Sequence, residues 1–200
     1  MKKIMKYIPT IILTLLCSCS DYLDIVPDNV TTLDIVFNNR NTAERYLANC
    51  YHFVPDHGSV KRIPGMGAGH ECWFYTTNDS HFDNEVSFYI ARGLQNIDAP
   101  YANYWDGEGG SNLPMFRAIR ECNIFLDYVR DQHKVNDLTD SERKRWIAEV
   151  NVLKAYYHFF LFEHYGPIPI VDKALPVSTD PEGVKVTRMP VDQIVDYMVK

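Results

Sequence analysis

The chain has 200 residues, 46% of them hydrophobic, 13% aromatic and 23% charged, with 20 basic against 26 acidic residues and a net charge of −6. That composition fits a globular protein and excludes a disordered tail, a collagen-like repeat and a coiled-coil rod. The acidic balance leaves no basic field to hold nucleic acid or an anionic membrane surface.

Residues 1–18 read as an export leader. Lys2, Lys3 and Lys6 form a positive start, and residues 8–16 are mostly apolar. That run is roughly half of the ~20 residues a bilayer-spanning helix needs, as in a secretory signal. Leu16-Cys17-Ser18-Cys19 resembles a bacterial lipobox, in which a Leu three positions back precedes a Cys that receives lipid through a thioether. Cys19 is therefore the expected lipidation site. Removing the leader takes away three basic residues and no acidic ones, so the charge moves from −6 to −9. Residues 19–40 then read as a tether, polar at first and extended around Pro27. The remaining thiols, Cys50, Cys72 and Cys122, are odd in number and widely spaced, which does not suggest a disulfide framework. Cys50 and Cys122 read as small buried hydrophobes.

Four helical patterns and one irregular excursion make up residues 41–200, with a short helical turn before them at 33–37. The first helix is expected from Asn41, with Asn41 and Glu44 at capping-box spacing and apolar residues from Ala43 to Val54 at helical intervals. Residues 57–112 hold eight of the ten glycines and keep no period, yet they are rich in aromatic rings. Such a stretch reads as an ordered, loop-rich insert, with one short strand or helix near 86–91. Pro114 opens the second helix, whose stripe is Met115, Ala118, Ile119, Cys122, Phe125, Leu126 and Val129. Thr139 and Glu142 form a capping box for the third, which runs to Tyr165 before Gly166 and Pro167 stop it. Its main apolar face is Trp146, Val150, Leu153, Tyr157, Phe160 and Leu161, and further rings spread around its end. A last amphipathic helix begins near Pro190 and is expected to be still in progress at Lys200. A pattern cut in this way suggests part of a longer protein, poorly stable by itself.

These segments together resemble the N-terminal part of a SusD/RagB-type protein, the nutrient-binding outer-membrane lipoproteins of Bacteroidetes. The resemblance rests on Cys19-Ser20-Asp21-Tyr22-Leu23-Asp24 with Pro27, and on the helix with Ala43, Leu47 and Tyr51. It continues through the residues from Phe116 to Leu126 around Asn123, then Leu153-Lys154-Ala155-Tyr156-Tyr157 and Tyr165-Gly166-Pro167-Ile168-Pro169. Lys154 stands where the family usually has Arg. The resemblance implies a mainly α fold of tetratricopeptide-like helix pairs with a loop-rich insert, incomplete at its C-terminus. It also implies an outer-membrane location and a SusC-like TonB-dependent transporter as partner.

No motif for catalysis or cofactor binding occurs: there is no HExxH, no G-x-S-x-G and no Walker loop. His158 and His164 lie six apart and do not share a helix face for metal ligation. Residues 79–85 alternate ligand-type side chains but read as a solvated loop edge. The excursion is the better candidate. Sugar faces rich in C–H bonds pack on aromatic rings, and amides and carboxylates take their hydroxyls. Trp73, Tyr75, Asn78 and Asp79 supply both components, and Tyr101, Tyr104 and Trp105 with Asp106 supply them again. The expected function is capture of an oligosaccharide or another nutrient without chemical change. The alternatives are a surface glycan hydrolase and a helical protein-binding scaffold or adhesin.

Overall fold

A computed structural model describes residues 32–58, 67–69, 86–107, 113–175 and 185–200. Cys19, Trp73, Tyr75, Asn78 and Asp79 lie outside the described residues, as do Cys72 and the whole of the 79–85 segment. The chain divides into two units, Met1–Ile35 and Val36–Lys200. The regular elements are α1 (Leu33–Val36), α2 (Arg40–Tyr51), α3 (Val86–Ala91), α4 (Met115–Arg130), α5 (Asp140–Tyr165) and α6 (Val191–Met198). The fold is mainly α, and among the described residues there is no strand.

α5 forms where its caps are written. The Thr139 hydroxyl accepts from the Glu142 N–H at 3.3 Å, and the Glu142 carboxylate accepts from the Thr139 N–H at 3.3 Å. The Thr139 hydroxyl and then the Arg40 guanidinium, which donates at 3.0 Å, hold the Glu142 carboxyl below its ordinary range. At the far end Gly166 takes φ +69°, and its N–H closes on the Phe162 carbonyl at 2.9 Å. Pro167 cannot continue the helix. The six residues of the expected apolar face are all buried.

α4 and α5 pack side by side in opposite directions. Phe125 meets Trp146 near one end, with ring centroids 6.2 Å apart. Phe116 and Tyr165 both meet Trp105 at the other. All seven stripe residues of α4 are buried, together with Asn123. The turn between the helices is organised by Arg143, which is 7% exposed. Its guanidinium donates to the carbonyls of Val129, Asp131, Lys134 and Val135 at 2.6–3.2 Å. Val129 belongs to the last turn of α4, so a cation here also meets the negative end of that helix.

α2 lies against both helices, along α5 and counter to α4. Tyr157 donates to the Cys50 carbonyl at 2.5 Å, and Tyr46 donates to the Glu121 carboxylate at 2.5 Å. The helix starts at Arg40, not at Asn41. Asn39 caps it by accepting from the Thr42 N–H at 3.1 Å. Glu44 is engaged by the Arg40 guanidinium at 3.0 Å, and the Arg40 N–H donates to Asp137 at 2.7 Å. The alternative of strand or helix at 86–91 is settled as a helix, α3.

After Gly166 the chain runs extended across α4 and α5. The Asn123 amide donates to the Val171 carbonyl at 3.0 Å. Lys154, 5% exposed, places its ammonium 2.6 Å from the Asp172 carboxylate. Lys154 thus anchors this exit segment. Ile194 buries α6 against the core. No helix among the described residues is long and apolar enough to cross a membrane.

Candidate functional site

Residues 101–107 form a ledge where the start of α4 meets the end of α5. Pro114, the α4 N-cap, makes no side-chain cap hydrogen bond. The free N–H of Met115 is instead taken by the Tyr104 carbonyl at 3.0 Å. The Tyr104 N–H donates to the Tyr165 hydroxyl at 2.8 Å, and that hydroxyl donates to the Ala102 carbonyl at 3.3 Å. One tyrosine of α5 therefore fixes the backbone of the ledge.

The three sequence-designated rings of this ledge occupy different environments. Tyr104 has no exposed surface. Its ring stands edge-on to Phe160 at 5.0 Å and to His164 at 4.7 Å. Burial, with the Tyr165 hydroxyl nearby, pushes its phenol well above the usual range. Tyr104 holds the ledge in place, and its face is covered by protein.

Trp105 is half-buried. It packs edge-on against Phe116 at 4.6 Å and Tyr165 at 5.5 Å, and the Arg188 guanidinium lies 5.3 Å from its centroid. Arg188 is itself fixed by the Pro167 carbonyl at 2.8 Å. Beside Trp105, Asn103 accepts from its N–H at 3.1 Å and donates to Asp106 at 2.5 Å.

Tyr101 is also half-buried and stacks on Tyr89 of α3, with centroids 4.3 Å apart and planes at 13°. The Tyr101 N–H is held by Gln95 at 2.7 Å. Tyr89 extends the designated set. Its aromatic type was visible in the sequence, but its partner was not, because the stack joins α3 to a loop.

A cavity of about 400 Å³ opens next to the ledge, lined by Asn49, His52 and Phe53 from the end of α2 and by Gly107, Pro114 and Arg117. Gly107 has φ +85°, and a Cβ there would lie 2.8 Å from Pro114 Cδ. Only glycine fits this approach. Asn49, His52 and Arg117 are hydrogen-bonding side chains that no motif pointed to, since they come from two helix ends far apart in sequence. A second cavity of about 580 Å³ lies between α5 and α6, lined among others by Arg130, Asn151, Lys154, Asp172 and Tyr197. Among the described residues, no three His, Cys, Asp or Glu side chains converge as metal ligands.

The ledge supplies rigidly supported rings, and the cavity that meets it at Gly107 supplies amide, imidazole and guanidinium groups, the two components that suit a polyhydroxylated ligand. Comparison with known proteins gives two findings. A family model, SusD-like and described as "Starch-binding associating with outer membrane", matches residues 21–200. A SusD-like protein from Bacteroides fragilis, solved by crystallography, superposes with a TM-score of 0.57 at 15% identity. That match covers 82% of this chain and 28% of the other, so the chain spans a little over a quarter of that protein's length. No curated protein matches the chain.

Proposed function

Because this chain belongs to the SusD-like family of starch-binding, outer-membrane-associated proteins, we propose that it belongs to a surface lipoprotein that captures a glycan and releases it unchanged to a TonB-dependent transporter of the SusC type. Lipid on Cys19 anchors it. Tethering a preformed aromatic site beside a pore raises the local ligand concentration at the entrance. The observation that carries the reading is the ledge, which bears Trp105 and the Tyr101 ring stacked on Tyr89 and which meets, at Gly107, the cavity lined by Asn49, His52 and Arg117. Trp73, Tyr75, Asn78 and Asp79 complete the ligand-contacting set from the same excursion.

A glycan array probed with the chain tests this. Binding to α-glucans or a related glycan is expected, weakened by Trp105→Ala and by Trp73→Ala. No glycan bound, with capture of a protein instead, would favour the scaffold reading. Sugar products on incubation would replace capture by hydrolysis. Fatty-acid labelling tests the anchor: label is expected on the chain and is lost in Cys19→Ala. Label retained in that variant contradicts the anchor.

A further inference from the structure

Two guanidinium groups border residues 105–107 without an acidic partner. The Arg188 guanidinium lies 5.3 Å from the Trp105 centroid, and its Nη1 donates to the Pro167 carbonyl at 2.8 Å and to the Tyr165 carbonyl at 3.4 Å. Those carbonyls fix the side chain and leave its charge uncancelled. Arg117 lines the cavity of about 400 Å³ that Gly107 also lines, and none of the six lining residues is Asp or Glu. Among the described residues neither Arg117 nor Arg188 forms an ion pair, whereas Arg40 is paired with Glu44 and Glu142, Arg145 with Glu149 and Lys154 with Asp172. Asp106 is the one carboxylate within residues 101–107, and it accepts from the Asn103 amide at 2.5 Å.

The place of Arg117 in α4 points the same way. Met115 opens that helix, so Arg117 stands in its first turn, where there is no acidic residue and no side-chain cap. The first turn is the positive end of a helix, which favours an anion and disfavours a cation. Arg117 is exposed there. An acid group in the cavity would therefore meet a guanidinium and a helix end of the same positive sign.

We propose that the glycan captured at the ledge is an acidic one, an oligosaccharide bearing carboxylate or sulfate groups that Arg117 receives at the cavity and Arg188 receives at Trp105. This rests on the ledge being the capture site proposed above, and it narrows what is captured there. A guanidinium presents its N–H donors in a planar fork that matches two oxygens of a carboxylate or sulfate. Arg188 makes both carbonyl contacts through Nη1, so Nη2 and Nε remain for an incoming acid group. Asn49 and His52 in the cavity are placed for the sugar hydroxyls. The net charge of −6 does not oppose this. Exposed charges are largely screened beyond about 8 Å at physiological salt, so the cations next to the ligand decide.

The test is a glycan array of uronate-bearing, sulfated and neutral oligosaccharides probed with the whole chain, followed by titration calorimetry. The tightest ligand should be acidic, and whether it carries uronate or sulfate identifies the acid group. Its carboxyl-reduced or desulfated form should bind at least tenfold more weakly. Arg117→Gln and Arg188→Gln should each weaken the acidic ligand about fivefold or more and change the neutral form less than twofold. Arg188→Lys, which keeps the charge, should retain part of the preference. Arg145→Gln removes the same charge from α5 and should change neither. Neutral glycans bound as tightly as acidic ones, with Trp105→Ala weakening both, would overturn acid selection and leave capture at the ledge standing. Acidic-ligand affinity unchanged in both glutamine variants would overturn it as well. No glycan bound at all would overturn both readings together.

Discussion

His158 sits on α5 with no exposed surface. Its Nδ1 donates to the Lys154 carbonyl at 2.7 Å, and its Nε2 accepts from the Val171 N–H at 3.4 Å. The Lys154 ammonium, the Asp172 carboxylate and the Tyr197 phenol surround it. Burial, with the Lys154 charge against the opposing pull of Asp172 and the Lys154 carbonyl, brings its pKa from 6.5 down to about 4. The folded imidazole is therefore neutral where the unfolded one takes a proton. Its stabilisation is complete above the unfolded value and is lost as pH falls from about 6.5 toward about 4. At pH 4.5 this group alone should remove roughly 2–3 kcal/mol. Urea unfolding at pH 7 and pH 4.5 measures it, and His158→Gln should remove most of the difference. The sequence excluded a metal role from the spacing of His158 and His164. The actual role depends on the chain turning back after Pro167 to bring Val171 within reach, which no local pattern encodes. Tyr104 gives the complementary case. Its neighbours Tyr101 and Trp105 share its composition, but the turn at 104–106 sends only its ring into the core.

The elements whose ends carry their own chemistry were the most legible. α4 and α5 follow their expected spans because Pro114, the Thr139–Glu142 box and Gly166-Pro167 act locally. The start of α2 moved by one residue because Asn39 supplies the cap, and Asp137 and Glu142, distant in sequence, hold Arg40 as the first helical residue. Two of the three positive-φ glycines among the described residues, Gly107 and Gly166, separate stability from binding. Gly166→Ala meets no atom within 4 Å and bears only the strain of φ +69°, about 1 kcal/mol. Gly107→Ala adds an approach of 2.8–2.9 Å to three atoms of Pro114, so the ledge must shift. Both variants should lower the denaturant midpoint. Gly107→Ala alone should weaken glycan binding, and binding lost equally in both would show that the ledge is not specifically involved.

On the scale of the whole molecule, the charge of −6 leaves no basic field for nucleic acid, and family membership agrees with association at the outer membrane. The mainly α fold was readable because apolar periodicity dominates α2, α4, α5 and α6. The candidate site was readable only as a surplus of rings in the excursion. Which rings face ligand depends on the ends of α2, α4 and α5 converging, and contacts at long sequence separation leave no periodic trace. Exposed apolar side chains remain on α5 at Val152, 69% exposed, and Phe159, 47% exposed. They lie two turns apart on one face. Replacing both with lysine should raise solubility in sedimentation measurements without changing glycan binding, since both side chains are exposed and it is Phe160, His164 and Tyr165 of α5 that hold the ledge.

Titration calorimetry of the chain with the glycan it binds best on the array tests the central claim, with Trp105→Ala and Tyr101→Ala compared against Phe159→Ala and helicity checked by circular dichroism. The ledge predicts at least a tenfold loss of affinity, about 1.4 kcal/mol, in both ledge variants and none in the Phe159 variant. Affinity unchanged in both ledge variants, with helicity intact, would contradict it.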